Sequence, residues 1–302
     1  MDRFKELQTF VAVADAGGFN AAGRKLQMSP PSVTRLVADL EARLGTRLFI
    51  RTTRQVALTE AGERLHQEAA RILADLEAVE ASAAGAHVAP QGLLTVTAPV
   101  MFGRKFLAPV VRDYLDHYPT VKARTLFVDR VVNLIDEGLD VALRIGDLPD
   151  SSLKAVRVGS VRRVAVAAPS YLKKHATPEK PADLNKHKTV LPYDLSPMPV
   201  WEFVSKGKRQ SVNLKPAMTC NTIGVALDAA LVGWGITRLL SYQVADALKS
   251  GDLVELLPEF EDRRLPIHLL HSETQFTAAK IRTFVDFARK ALGKHAKKIE
   301  AV

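Results

Sequence analysis

Phe4, Leu7, Phe10, Val11 and Ala14 recur every three or four residues, which predicts an amphipathic helix ended by Gly17 and Gly18. A short second helix runs through Ala21, Ala22 and Leu26. Ser29, Pro30, Pro31 and Ser32 then form a start signal: a hydroxyl able to cap, followed by a proline suited to the first helical position. Val33, Leu36, Val37, Leu40 and Leu44 supply the buried side of this third helix, and Gly45 stops it. Arg47–Arg51 and Val56–Leu58 read as two short strands.

From Thr59 the spacing becomes one long stripe, Ala61, Leu65, Ala69, Ile72, Leu76 and Val79, predicting a single helix over 59–88 that is rich in alanine and free of proline. A lone helix of this length has little to pack on except a copy of itself. It is therefore read as a dimerisation helix ahead of a core helix of one domain. Gly85, Pro90 and Gly92 mark a hinge. Beyond it strands alternate with helices, the pattern of a sheet covered by helices. Leu93–Ala98, Lys122–Val128, Leu139–Ile145, Val161–Ala168 and Ile267–Leu270 read as strands. Phe106–Tyr118, Val131–Glu137 and Thr277–Leu292 read as helices, with a further helix start over Ser170–His175. The organisation expected is 1–58, 59–90 and 91–302, an α/β chain with a mainly helical N-terminal part.

Composition narrows the class. With 302 residues, 47% of them hydrophobic and 25% charged, the chain resembles an ordinary globular protein of about two domains with a real core. The most apolar stretch, Val225–Ile236, is interrupted by Asp228 and two glycines, so no membrane span is expected. The start Met-Asp-Arg-Phe-Lys-Glu has no signal-peptide pattern, which leads to an expected cytoplasmic location. One cysteine, Cys220, excludes an internal disulfide and a multi-thiolate zinc site; a small buried hydrophobe is its plainer reading than a redox sensor. The net charge of +9 favours anionic partners, nucleic acid above all, yet residues 1–62 carry only +3 of it. Patterning must therefore locate any DNA-binding face.

Residues 19–58 supply that pattern. A helix-turn-helix needs a bracing helix and a second helix whose N-terminal residues face base edges in the major groove. Here the second helix begins at Pro30 and Pro31 and presents Ser32, Thr34 and Arg35 away from its apolar stripe. Hydroxyls suit phosphates and base edges, and arginine suits guanine or phosphate. The hairpin tip, Arg51, Thr52, Thr53 and Arg54, suits a wing against the DNA backbone or minor groove. On charge alone, a solvated helical bundle would fit equally well.

The order of residues resembles the LysR-type transcriptional regulators. The resemblance rests on Phe19–Ala22, Leu26, Ser29–Arg35, Leu40, Glu41, Leu44, Gly45, Arg47–Arg54 and Leu58–Gly62. It extends to Phe102–Arg104, Asp140–Gly146, Pro169–Leu172 and Gly233–Ile236, so it covers nearly the whole chain. The resemblance implies a winged helix-turn-helix, a linker helix and a two-lobed α/β effector domain like a periplasmic binding protein. Lobe I would comprise about 91–162 and 267–302, and lobe II about 163–266. It also implies a homodimer or homotetramer that recruits or blocks RNA polymerase, with operator DNA read by Ser29, Pro30, Pro31, Ser32, Thr34, Arg35, Arg51, Thr53 and Arg54. Thr34 stands where serine is usual, Ile50 where an acidic residue is common and Gly23 where alanine is usual; operator preference is what these departures leave open.

Ligands of open α/β sheets sit beyond the carboxyl ends of strands. Pro99, Val100, Met101, Phe102, Asp129, Arg144 and Gly146 stand at such ends in one lobe; Asn221, Thr222 and Trp234 are the expected facing edge of the other. The helix start after Ala98 could hold an anion. Val100, Met101, Phe102 and Trp234 suit a small, partly apolar effector, and Arg144 or Arg130 could pair with its carboxylate. The same arginines fit structural ion pairs with Asp140, Asp129 or Asp147, and the sequence leaves both open.

Enzyme readings dissolve on inspection, and no cofactor is expected. Ser170 and Lys173 match an S-x-x-K spacing without its partner motifs, and a helix cap is the simpler role for Ser170. His268 and His271, three apart on a strand, face opposite sides and cannot share a metal. Gly233–Gly235 runs helix to strand, the reverse of a dinucleotide loop. A solute-binding protein without specific DNA recognition is the alternative for residues 92–302 alone.

Overall fold

The computed structural model describes the chain except residues 1, 52–55, 84–88, 135, 149–151, 193–199, 206, 261–263, 273–277 and 301–302. It forms two compact units, Met1–Ala89 and Pro90–Val302.

The first unit holds α1 (Arg3–Ala16), α2 (Phe19–Leu26), α3 (Pro30–Leu44), β1 (Phe49–Arg51), β2 (Val56–Leu58) and α4 (Glu60–Ala83). Local signals set its boundaries. Asp2 caps α1 by accepting from the Phe4 and Lys5 amides, and Ser29 caps α3. Gly17 and Gly45 end α1 and α3 with φ of 66° each, a left-handed conformation glycine adopts without a Cβ penalty. Phe10, Val13, Ala22, Val33, Val37, Leu40, Leu48 and Phe49 close one core.

Two expectations change here. The first strand begins at Phe49, because the Leu48 and Phe49 amides both donate to Glu41 on α3. The long helix is not isolated in its first half: Ala69 is fully buried in this core, Ala61 and Leu65 pack against it, and His66 Nε2 lies 2.9 Å from Asp15 Oδ1 on α1. Gly62 follows from the same packing, since a methyl there would overlap the Leu48 carbonyl.

The second unit contains two five-stranded sheets. One has strand order β4-β3-β5-β14-β6, with β3 (Gly92–Ala98) parallel to β4 (Val121–Phe127) and β5 (Val141–Ile145); β14 (Leu265–Ser272) runs antiparallel to β5 and to β6 (Leu153–Val161). The other has order β11-β8-β12-β7-β13. Its strands β8 (Thr189–Pro192), β11 (Met218–Cys220) and β12 (Ile236–Leu240) are parallel; β7 (Arg163–Ala167) and β13 (Val254–Leu256) complete it antiparallel. A hairpin, β9 (Val200–Ser205) and β10 (Lys208–Asn213), buries Trp201, Phe203 and Val212 in the second lobe. The helices are α5 (Val100–Phe102), α6 (Ala108–His117), α7 (Pro169–His175), α8 (Ile223–Leu231), α9 (Ser241–Ser250) and α10 (Ala279–Glu300).

The expected strand over Val161–Ala168 is two strands in different sheets, split at Arg162, where the chain crosses between lobes. The expected helix over Phe106–Tyr118 starts earlier, at Val100, and passes through a π turn over Gly103–Leu107 before α6. Pro109 accounts for that turn: it has no N–H for the Lys105 carbonyl and its ring crowds that oxygen, so the preceding turn widens and Ala108 N bonds to Gly103 O instead. The expected helix over Val131–Glu137 is a single turn, with Glu137 N on Asn133 O at 3.1 Å and Leu139 N on Leu134 O at 2.8 Å. Gly138 closes it at φ 61°, and Thr95 fixes the exit through the Gly138 carbonyl and the Asp140 carboxylate. Ser170 does not cap α7; the cap position is Ala168, and Ser170 Oγ packs against Gly233.

Candidate functional site

The outer face of α3 is built from its cap outward. Ser29 Oγ accepts the Ser32 amide at 3.4 Å and shares a hydrogen bond with Ser32 Oγ at 2.8 Å. Pro30 and Pro31 fill the next positions, where a missing N–H costs nothing, and both are exposed. Val33, Val37 and Leu40 face the core at 0% exposure, which turns Arg35 outward and leaves Thr34 half-buried at the edge. Arg35 has no hydrogen bond or ion pair among the described residues. Its guanidinium is available to an anion.

Charged groups absent from the sequence-based site hold this face in place. Glu41 lies on the buried side of α3 and accepts the Leu48 amide at 2.7 Å and the Phe49 amide at 3.2 Å, coupling α3 to the start of the hairpin. Glu6 on α1 is fully buried and takes Arg43 of α3 through Nε at 3.1 Å and Nη2 at 2.7 Å. Thr59 Oγ1 donates to Arg47 O at 2.8 Å and accepts the Gly62 amide at 3.0 Å, joining the hairpin to α4. The signal for Glu41 was present: a carboxylate one turn on from Val37 and two from Val33, in line with an apolar stripe. Thr53 and Arg54 lie outside the described residues, as does the Arg51 side chain; the Arg51 backbone ends β1.

In the second unit the carboxyl ends of the parallel strands of both sheets point toward each other. Tyr242, just after β12, packs on Phe102 and Phe106, just after β3, with ring centroids 5.3 and 5.9 Å apart. Met101 touches the cores of both lobes, and Lys105 pairs with Asp246 on α9 at 2.8 Å. Burial pushes the Tyr242 phenol far above its ordinary range.

Pro99, Val100, Met101, Asp129 and Gly146 follow the carboxyl ends of the first sheet's parallel strands, and Asn221 and Thr222 follow that of β11 in the second, with Asn221, Thr222 and Val100 exposed. Asp129 Oδ1 accepts the Val100 amide at 3.0 Å, so the anion position at that helix start is held by the protein's own carboxylate. Phe102 is fully buried and forms no part of an accessible wall. Arg130 is bound through both Nη atoms by Glu137, at 2.7 and 2.9 Å, a partner the sequence did not suggest. Arg144 donates to Val132 O at 3.2 Å, and burial lowers its pKa. Asp140 is engaged instead by Thr95 and by Lys280 at 3.8 Å. Gly146 has φ 116° and donates to Pro266 O at 2.9 Å.

Trp234 does not join this edge. It precedes β12, beside Lys188 before β8, with Lys188 Nζ 5.4 Å from its ring centroid. Asn221 and Thr222 follow β11, which runs parallel to β8. Trp234 therefore lies at the opposite end of the sheet. Cys220 is half-buried; burial raises its thiol pKa, and Sγ donates to Thr222 O at 3.4 Å.

Among the described residues no helix is long and apolar enough to cross a membrane. Residues 4–63 match the bacterial regulatory helix-turn-helix proteins of the lysR family, and residues 87–293 match the LysR substrate binding domain. The chain is 32% identical over 285 residues to a probable HTH-type transcriptional regulator, LtrA, of Klebsiella pneumoniae, covering 93% of this chain and 92% of that protein. It is 31% identical over 290 residues to the HTH-type transcriptional regulator CrgA of Neisseria meningitidis serogroup B, covering 96% and 97%. The structure of CrgA superimposes with a TM-score of 0.61 at 31% identity over 96% of this chain and 98% of that one. The full-length Vibrio cholerae virulence activator AphB gives 0.61 at 25% identity over 95% and 98%. The capped α3 with its outward arginine and the paired α/β lobes thus occur in one chain for a reason: the protein belongs to the LysR family of transcriptional regulators, with a helix-turn-helix for DNA and a two-lobed domain for an effector.

Proposed function

We propose that Thr34, Arg35 and the exposed prolines at the start of α3 read operator bases in the major groove, while Ser29 and Ser32 shape that end of the helix and Arg51, Thr53 and Arg54 contact the backbone from the wing. The carrying observation is Arg35, exposed and without a partner among the described residues on the outward face of a capped helix. Binding-site selection on random duplexes at stated salt tests it. A pseudo-palindrome with half-sites about one helical turn or a multiple apart is expected. Salt-sensitive binding with no enriched sequence would remove the base-reading role.

The effector enters at the carboxyl edge lined by Pro99, Val100, Met101, Asp129, Gly146, Asn221 and Thr222. It is a small molecule bearing a carboxylate, with Arg144 as its counter-ion: Arg130 is already neutralised by Glu137, whereas among the described residues Arg144 has only a backbone carbonyl as its direct partner and is half-buried. Asp129 meets a donor group on the same ligand. Thermal-shift screening of matched acids and neutral amides tests this, and stabilisation by the amides alone would refute it. The protein works as a homodimer or homotetramer in the cytoplasm, without catalysis, and acts by recruiting or blocking RNA polymerase.

A further inference from the structure

The positive charge of the chain is densest in α10. Residues 287–299 hold Arg289, Lys290, Lys294, Lys297 and Lys298 and no carboxylate, which is more than half of the net +9 in one short stretch. The inward stripe of α10, Phe284, Val285, Ala288 and Leu292, is buried in the core of the lobe built on β3. At about 100° per residue, Lys290, Lys294 and Lys297 fall on the line opposite that stripe, with Arg289 and Lys298 at its flanks. Arg289, Lys290 and Lys294 are exposed, and no hydrogen bond or ion pair among the described residues engages their side chains.

Ordinary helix chemistry accounts for little of this. Cations in the last turn complement the helix dipole, which suits Lys297 and Lys298, but Arg289 and Lys290 lie about three turns before Glu300. Lysines four apart repel one another and weaken a helix. Lys290, Lys294 and Lys298 keep that spacing with no carboxylate between them. Among the described residues Leu292 is the last of α10 in the core, and the helix continues for about two further turns.

We propose that the outer face of α10 binds the phosphate backbone of duplex DNA flanking the half-site read by α3. The partner follows from the chemistry of the stripe. Protein interfaces place aromatic and apolar anchors at their centre and are depleted in lysine. A helix lying on a membrane needs an apolar face to insert. The exposed positions of α10 up to Lys294 are Arg282, Asp286, Arg289, Lys290, Gly293 and Lys294, none with an apolar side chain, and its apolar face is already covered. A row of lysines one turn apart suits a row of phosphates, gains affinity by releasing condensed counterions and carries no sequence information. Because α10 and α3 belong to different compact units, the contact is assigned to phosphates outside the groove that α3 enters. It goes beyond base reading by α3, and the test lets either fail alone.

The test measures the affinity of the full-length protein across a salt series for two duplexes: the shortest one bound specifically after site selection, and the same duplex extended by about two helical turns of arbitrary sequence at each end. The parent protein should bind the extended duplex more tightly and with a steeper salt slope. Changing Lys290→Gln, Lys294→Gln and Lys297→Gln together should weaken the extended duplex about tenfold and lower its slope by roughly 2–3 per bound subunit. The short duplex should be bound as before, with a melting temperature equal or higher because like charges have been removed. Lys290→Arg, Lys294→Arg and Lys297→Arg together should keep the parental slope on both duplexes. An unchanged slope on the extended duplex in the glutamine variant would overturn the proposal. Equal losses on the two duplexes would overturn the flanking placement. Unchanged DNA binding with reduced transcription in a purified polymerase assay would assign the stripe to a protein partner and overturn it too. Arg35→Ala separates the two readings: the lysine-dependent part of the slope should persist on a long scrambled duplex, and its disappearance there would overturn an independent contact by α10. An Arg35→Ala protein that keeps its sequence preference would sink base reading by Arg35 and leave the α10 result standing.

Discussion

Replacing Glu41 tests whether the reading helix and the hairpin form one mechanical unit. Its Oε1 accepts two backbone amides, Leu48 N at 2.7 Å and Phe49 N at 3.2 Å, and both residues are buried. In Glu41→Ala neither amide regains an acceptor and water has no ready access. At about 1–3 kcal/mol for each buried donor left unpaired, the loss is about 2–6 kcal/mol. The second contact of Glu41, with Arg47 at 3.6 Å, adds little because the Arg47 side chain is 80% exposed. A small domain loses roughly 4–8 °C per kcal/mol, so a loss of about 3 kcal/mol, toward the lower end, already lowers the melting of the first unit by roughly 12–24 °C. Glu41→Gln keeps an acceptor oxygen of the same reach and should cost about 1 kcal/mol or less. Trp201 and Trp234 both belong to the second unit, so tryptophan fluorescence cannot follow this change. Far-ultraviolet dichroism and hydrogen exchange at the Leu48 and Phe49 amides can, with DNA affinity measured below the transition. A Glu41→Ala protein as stable as the parent would show that these amides are solvated. Equal damage from Glu41→Gln would show that charge matters more than the acceptor.

Arg35→Ala should abolish or strongly weaken binding to the selected duplex while folding stays unchanged; parental affinity would mean the reading residue lies elsewhere on α3. Tyr242→Ala should destabilise the second unit by about 3–5 kcal/mol, because a side chain 2% exposed packs on Phe102 and Phe106. Lys105→Ala should cost roughly 1 kcal/mol or less, its Asp246 partner being 90% exposed; urea midpoints that rank the two variants the other way would refute the view that the lobes are joined by packing. Burial, followed by the His175 charge for His187 and the Arg157 charge for His268, holds both histidines below the ordinary 6.5. The unfolded chain then binds more protons between those lowered values and about 6.5, so stability is full above that pH and falls as pH drops through the window. Fluorescence-detected melting from about pH 7.5 to about pH 5.5 should show the decline, and a His187→Gln, His268→Gln protein with the same slope would assign it to other groups.

The first unit was legible in the sequence because its signals are local. A cap hydroxyl, a proline at the first helical position and a stopping glycine act within a few residues, and Ser29, Pro30 and Gly45 bound α3 where that grammar puts them. Its missing parts are non-local. The Glu6–Arg43 pair spans 37 positions, and the bonds from Leu48 and Phe49 to Glu41 exist only once the hairpin has folded back. The same bonds explain why the first strand begins late. Ala69 shows a further limit: a uniform stripe reveals that a helix buries one face but not what covers it, and here the first half of α4 is covered by its own unit.

The edge proposed for the effector follows from the sequence in one lobe and not in the other, for a topological reason. Around β3, β4 and β5, the residues following each strand are at its carboxyl end, so Pro99, Asp129 and Gly146 share an edge without further information. In the second lobe, Asn221 and Thr222 follow β11, whereas Gly233 and Trp234 come before β12, and only strand direction decides which end they occupy. Ile236 pairs with Thr189 and Cys220 with Pro192, on either side of the same parallel strand β8. Trp234 therefore stands two residues before the start of that strand level, while Asn221 and Thr222 stand beyond its end. At about 3.3 Å per residue the two sites are separated by well over 10 Å along the strands. An aromatic residue next to glycines looked like a ligand wall; the register makes it a surface feature beside Lys188, at the opposite end of the sheet from Asn221 and Thr222.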